Sequence, residues 1–284
     1  MLSRSDIQKY IKNYSKFNKN IIYDFNINDG GVADYIKYFM YLLQYCMNKN
    51  FRLYYKKNGL PLESYIPLQF SELYISQDKI NNFKILNSLT SVDTLENINN
   101  NMHYICKPNC MYKKFDFDFI NLKFGDVFYF SDEVISNKKN IYSDNLLNYI
   151  SIHLRLGDKH LELEKKDKKF VYTKWDQREF NYDKLSDLII KNKKKIILFF
   201  CDNNSFKQKI KKKYPFIKIS SAKVGHTGLS ISSKREVLDA ASELALLAGS
   251  KEIYSASYSG FPLVAGKLGE VKVHKLHNQK DLTI

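Results

Sequence analysis

Between Leu147 and Leu276 the sequence alternates short apolar runs with amphipathic ones, and this alternation restricts the fold more than any other feature. Ile196–Cys201 is apolar throughout, as expected of a strand covered on both faces in a parallel sheet. Strands are also predicted over Leu147–Arg155, Phe216–Ser220, Glu252–Ser255 and Val271–Leu276. Between them the apolar spacing predicts helices over Tyr182–Lys191, Ser205–Tyr214 and Lys234–Ala248, and a short one over Phe261–Lys267. Strand and helix in this rhythm imply a doubly wound α/β domain. A similar unit opens the chain: a strand over Asn20–Asn26, the turn Asn28-Asp29-Gly30-Gly31, a helix over Ala33–Met47 and a strand over Phe51–Tyr55. Asparagine-rich stretches such as Asn97–Asn101 break the signal from Lys56 to Asp144, where short strands are predicted near Met102–Ile105 and Val127–Phe130. The expected architecture is two Rossmann-like α/β domains, 1–145 and 146–284, facing a cleft, with ligands at the C-terminal ends of the strands.

Hydrophobic residues make up 44% of the 284 residues, enough for a substantial core. The most apolar early window, Tyr38–Met47, is short and interrupted by Gln44, and Met1–Lys16 is too polar for a secretory signal. No transmembrane segment is expected, and the chain reads as a soluble cytoplasmic protein. Four cysteines at irregular spacing predict no disulfide framework. His103, Cys106 and Cys110 resemble half a zinc site, but no second ligand pair follows, so free thiols and no metal are expected. The net charge of +15 would attract polyanions. The lysine runs at Lys165–Lys169, Lys191–Lys195 and Lys207–Lys213 lie among helix and loop signals, and no nucleic-acid-binding motif accompanies them. They read as solvated faces, and no nucleic-acid partner is expected.

Three segments carry chemistry. In the first, His153, Arg155, Gly157 and Asp158 form H-x-R-x-G-D at the end of a strand. Alternation puts His153 and Arg155 on one face, Gly157 permits a turn, and the planar fork of Arg155 suits a phosphate, with Asp158 to hold it. The alternative is an Arg–Asp pair without a ligand. In the second, Asp202 ends the apolar strand, where an acid can bond ribose or base; the competing role is helix capping by Asn203 or Asn204. In the third, Ser257, Tyr258, Ser259 and Gly260 precede a short helix, where small residues suit either an anion or ordinary capping. Upstream, His226 in Gly225-His226-Thr227-Gly228 is a candidate nucleotide contact or a surface side chain.

The order of these segments, with Asp239 and Glu243 on the helix between the second and third, resembles the fucosyltransferase superfamily of α-1,2-, α-1,6- and protein O-fucosyltransferases. Ala256-Ser257-Tyr258-Ser259 is similar to that group's third motif, and Gly30-Gly31 to its glycine-rich first loop. The resemblance covers Leu147–Lys267 well and Asn20–Tyr55 weakly. It departs at Gly260-Phe261, where the α-1,2 branch has bulky aromatics, and in the first loop, which lacks that branch's Gly-Asn-Gln. The resemblance implies a GT-B fold and an inverting, metal-independent glycosyltransferase. The implied donor substrate is GDP-fucose, with no cofactor, and the partner an unspecified glycan acceptor. By carry-over Arg155 binds the β-phosphate, Asp202 the nucleoside, and Ser257, Tyr258 and Ser259 line the donor pocket.

A diphosphate leaving group needs positive charge as its own charge develops, and a guanidinium with helix-end N–H groups can supply it. Asp116-Phe117-Asp118 has the letters of a metal motif but lies in an aromatic stretch. Asp29 and Asp34, beside the glycine pair, are candidates for the base that takes the acceptor's proton, with a structural role as the alternative. Competing functions are transfer from another nucleotide sugar, a basic nucleic-acid-binding protein, and a carbohydrate-binding protein without turnover.

Overall fold

The computed structural model describes residues 2–26, 29–86, 95, 102–111, 115–142, 148–160, 177–222 and 232–278. Two compact units emerge, dividing between Tyr129 and Phe130. The sequence places that boundary at 145. The helix Asp132–Ile141 accounts for the difference. Asn137 Nδ2 donates to Asp239 Oδ1 at 2.9 Å and Ser242 Oγ at 3.0 Å, which ties this helix to the second unit.

The first unit is built on a five-stranded parallel sheet in the order β3-β2-β1-β5-β4. Its strands are β1 (Asn20–Tyr23), β2 (Arg52–Lys56), β3 (Tyr74–Ile75), β4 (Phe83–Leu86) and β5 (His103–Cys106). Helix α1 (Arg4–Lys12) buries Ile7 and Tyr10. The Tyr10 hydroxyl donates to Phe51 O at 2.5 Å and accepts from Leu53 N at 3.1 Å, which docks the N-terminus beside β2. Helix α2 (Val32–Lys49) crosses from β1 to β2, and α3 (Pro61–Tyr65) starts with proline at its first position, where a missing N–H costs nothing. Tyr23, Tyr35, Phe39, Tyr55 and Phe128 pack edge to face between α2 and the sheet. The strand expected at Val127–Phe130 is absent: the segment follows a short 3-10 turn, and Phe128 makes one isolated bridge to Leu68. Asp116 and Asp118 lie in an exposed turn, pinned by Phe115 against Tyr38 and Tyr41.

The second unit begins with α4 (Asp132–Ile141) and has a parallel sheet in the order β10-β9-β6-β7-β8. The strands are β6 (Tyr149–Leu154), β7 (Ile196–Cys201), β8 (Lys218–Ile219), β9 (Glu252–Ser255) and β10 (Lys272–Lys275). Helices α5 (Tyr182–Lys191), α6 (Asn204–Lys213), α7 (Lys234–Ala248) and α8 (Gly260–Gly269) connect them. Taken alone, this sheet has the 3-2-1-4-5 order of a dinucleotide-binding unit, and both sheets confirm the α/β class read from the sequence. The chain leaves β6 towards β7 and β8, then returns to place β9 on the other side of β6. The order therefore reverses between β6 and β9, and the C-terminal ends of these two strands are where sheets of this order bind ligands. Ile150, Ile152, Leu154, Ile197 and Phe199 form the core with Leu185 and Ile189 of α5 and Ile210 of α6.

A charged cluster lies inside this unit. Lys207 of α6 is 1% exposed, and its Nζ donates to Ala222 O at 2.9 Å and lies 3.9 Å from Glu243 Oε1. Ser220 Oγ also donates to Glu243. Burial raises the Glu243 pKa, against the opposing pull of Lys207 and Ser220. Removing one partner of such a pair leaves a buried charge uncompensated. Lys207→Met is therefore expected to lose about 3–5 kcal/mol of stability in urea unfolding, most of it recovered in Lys207→Met/Glu243→Gln.

Candidate functional site

The site in the second unit begins with a backbone problem. Past Leu154 the chain leaves the sheet, and the N–H groups of Arg155, Leu156 and Gly157 lose their ladder partners. Side chains from two neighbouring strand ends supply them. Ser257, beyond β9, accepts from Arg155 N at 2.8 Å and donates back to Arg155 O at 2.7 Å. Asp202, at the end of β7, accepts from Leu156 N at 2.7 Å through Oδ1 and from Gly157 N at 3.0 Å through Oδ2. Gly157 has φ +98°, a conformation in which a side chain would be strained, and this turn brings Asp158 back under Arg155. Arg155 Nη2 bonds Asp158 Oδ1 at 2.6 Å, and the two side chains are 23% and 11% exposed. The guanidinium is thus half-buried, fixed in direction, and placed where the strand order reverses.

His153, on the same face of β6, is buried and stacks on Phe261, with ring centroids 5.4 Å apart and planes 22° from parallel. Its Nδ1 has no hydrogen-bond partner among the described residues. Burial, and secondarily the charge of Arg155, push its pKa down to about 3, so the ring is neutral near pH 7. Burial likewise raises the Asp202 pKa above the ordinary aspartate value, opposed by the two backbone N–H groups and by Arg155.

Ser259 is the N-cap of α8, accepting from Phe261 N at 3.3 Å. Pro262 offers no N–H, so the first turn of α8 presents only the Gly260 and Phe261 amides, and Ser259 engages the second. Arg155, more than the helix end, is the positive group here. Tyr258 is half-buried, with the Arg178 guanidinium 5.4 Å from its ring centroid and His277 edge-on at 6.1 Å. Sequence reasoning missed Arg178. Its backbone N–H bonds Leu156 O at 2.9 Å, and Phe180 bridges to Ser257, so the segment 177–180 runs beside the loop after β6. No strand or motif marks it in the sequence.

The structure brings His153, Arg155, Gly157, Asp158, Asp202 and Ser257 into one bonded or adjacent group, with Tyr258 and Ser259 continuing it. His226 and its flanking glycines lie outside the described residues. Asn203 caps α6, its Oδ1 accepting from Phe206 N at 2.7 Å, so capping and an Asp202 role coexist. Asp239 and Glu243 are engaged elsewhere: Asp239 binds Asn137 and Arg235, and Glu243 binds Lys207 and Ser220.

In the first unit the strand order reverses between β1 and β5, and charged groups gather at those ends. Asp24, 5% exposed, accepts from Asn58 Nδ2 at 2.7 Å, Asn26 Nδ2 at 2.9 Å and Lys107 Nζ at 2.9 Å. Burial opposes its ionisation, but Lys107 and Asn58 hold the pKa below the ordinary value. Sequence reasoning passed over Asp24 because the predicted strand ran through it to Asn26. Asp29, half-buried, accepts from Asn26 N at 2.8 Å and lies 3.7 Å from Lys107 Nζ; burial raises its pKa. Asp34 accepts from Gly31 N at 3.0 Å and pairs with Lys37 at 2.6 Å, as a capping residue of α2 does. Gly30, at φ +139°, leaves room for it: a Cβ there would lie 2.6 Å from Asp34 Oδ2. Cys106 and Cys110 are buried free thiols.

The pKa of His153 in the folded protein lies below its ordinary 6.5, so the unfolded chain takes up the proton first as pH falls. The neutral ring is tolerated above about pH 6.5, and stability drains away from there towards pH 3. His153→Leu should flatten this dependence. Between about pH 7 and pH 4 its urea midpoint should fall less than that of the parent protein.

No protein-family model matches the sequence, and no curated protein matches it. Solved structures do match. A crystal structure of NodZ alpha-1,6-fucosyltransferase co-crystallized with GDP superposes with a TM-score of 0.57 at 11% identity, covering 87% of this chain and 91% of that one. A NodZ crystal soaked with GDP-fucose gives a TM-score of 0.58 at 11% identity, covering 88% and 92%. At this identity the likeness is one of fold, and over nearly all its length the chain has the fold of the NodZ alpha-1,6-fucosyltransferase.

Proposed function

We propose that this chain is an inverting, metal-independent glycosyltransferase that transfers fucose from GDP-fucose to a glycan hydroxyl. The second unit would bind the donor and the first would serve the acceptor, as in the GT-B division of labour. One observation carries the reading: Arg155, oriented by Asp158, sits on a loop whose backbone Asp202 and Ser257 fix at the strand-order reversal. The NodZ structures, which contain GDP or were soaked with GDP-fucose, support the choice of donor. Four buried free cysteines fit a cytoplasmic setting.

In the proposed reaction the bond between fucose C1 and the β-phosphate oxygen breaks, and its electron pair stays with GDP. The acceptor oxygen bonds C1 from the opposite face, and its proton passes to a base. Arg155 neutralises the departing diphosphate, which is where stabilisation lowers the barrier. Asp202 and Ser257 act through the backbone they hold, while Tyr258 and Ser259 border the nucleotide. We assign the base role to Asp29 and not to Asp34. Burial raises the Asp29 pKa towards the range useful to a base, whereas Asp34 is committed to the end of α2.

GDP should raise the melting temperature, and UDP and ADP should raise it less; no response to any nucleotide would contradict the reading. A preference for UDP would keep the reaction class and change the donor. Arg155→Ala should lose turnover by about a thousandfold or more at unchanged fold, and Asp29→Asn by about a hundredfold. Excess chelator should leave the parent rate intact, and loss of activity that added divalent metal restores would refute metal independence.

A further inference from the structure

Two of the lysine runs expected to be separate solvated faces converge in the fold. Ten lysines and a single acid, Asp202, lie between Lys191 and Lys218. Lys207 is buried, and Asp202 is bound to backbone at the C-terminal edge of the sheet. The turn Ile190–Lys195 leads from α5 into β7, and the turn Tyr214–Ile217 leads from α6 into β8. These strands are parallel neighbours with Leu198 opposite Lys218, so both turns emerge at one end, the N-terminal edge. Lys191, Lys193, Lys194, Lys195 and Lys212 are all exposed there, whereas Lys213 Nζ reaches back along α5 to the Tyr182 hydroxyl at 3.1 Å.

Apolar side chains stand among them. Ile190 is 51% exposed, Ile196 39% and Phe216 40%. Each lies in or beside one of the two turns, and Ile196 and Phe216 each precede the paired residues Leu198 and Lys218 by two positions. The edge continues through exposed Lys251, whose N–H bonds Tyr149 O at 2.9 Å. Among the described residues its acids are Glu252, the first residue of β9, and Glu270, just before β10, and Asp183 and Asp187 lie further back on α5.

Exposed apolar side chains in the same turns as exposed lysines suit a surface with both an anionic layer and an apolar layer beneath it. A bilayer containing acidic lipids is such a surface: the lysines meet the headgroups while isoleucine and phenylalanine enter the interface. Duplex nucleic acid would satisfy the lysines but offers nothing to Ile190, Ile196 and Phe216. We propose that this edge of the second unit docks on an anionic membrane surface. The loop bearing Arg155 lies at the opposite edge of the same sheet, about 20 Å away along a six-residue strand, so docking leaves it open.

The test is flotation of the full chain with vesicles of phosphatidylcholine alone or mixed with phosphatidylserine, at low and high salt. The chain should float with the mixed vesicles only, and salt should weaken the association. Lys193→Ala/Lys194→Ala/Lys195→Ala should reduce partitioning by about a hundredfold, since each lysine near an anionic surface contributes severalfold. Phe216→Ser should weaken binding while keeping its salt dependence. Both variants replace exposed side chains, and their melting temperatures report whether the fold is intact. Equal flotation with neutral vesicles, unchanged partitioning of the lysine variant, or binding of duplex DNA in place of vesicles would overturn the proposal.

Discussion

A loop leaving a β-strand must find new partners for its backbone, and here two side chains from neighbouring strand ends provide them. Ser257 clasps Arg155 by its N–H and its carbonyl, and Asp202 takes the next two amides. A buried N–H left without a partner costs about 1–3 kcal/mol, so these contacts hold the loop in one conformation. Arg155 inherits that order. Its Cα is fixed by Ser257, its guanidinium by Asp158, and the approach of Asp158 depends on the positive φ of Gly157. A charge placed this way is already oriented before any ligand arrives, which is the condition for a fixed dipole or cation to stabilise a developing charge.

The sheet order decides where this loop lies. In the second unit β6 is flanked by β7 on one side and β9 on the other, so residues at the three strand ends meet although far apart in sequence. The first unit repeats the logic at β1 and β5, with buried Asp24 holding Lys107 beside Asp29. The opposite edge of the second sheet is built from helix-to-strand turns. It carries lysines and exposed apolar groups instead of backbone-binding acids. One sheet thus presents two chemically different edges.

The second unit was largely legible in the sequence. β7 and β9, and helices α5 and α7, have the predicted bounds because their apolar periods are strong and their ends well capped: Ser233 accepts from Glu236 N at 3.2 Å. In the first unit, α1 commits only Ile7 and Tyr10 to the core, and β4 exposes three of its four residues, so neither shows the periodicity that would reveal it. Arg155, Gly157 and Asp158 were readable because they are neighbours with a local purpose. The bonds of Asp202 and Ser257 span 46 and 102 residues, and no local pattern encodes such a contact. The sequence offered ribose or base contact for Asp202 and helix capping by Asn203 or Asn204; Asn203 does cap α6, while the bonds of the Asp202 carboxylate to the Leu156 and Gly157 amides had no signal in the sequence.

In the proposed reaction Arg155 holds the second phosphate of a nucleoside diphosphate. Calorimetric titration of GDP and GMP into the parent protein and into Arg155→Ala addresses it without any assumption about the acceptor. The parent protein should bind GDP about a hundredfold more tightly than GMP, and Arg155→Ala should bind the two about equally by weakening GDP alone. An unchanged preference for GDP in the variant would contradict it.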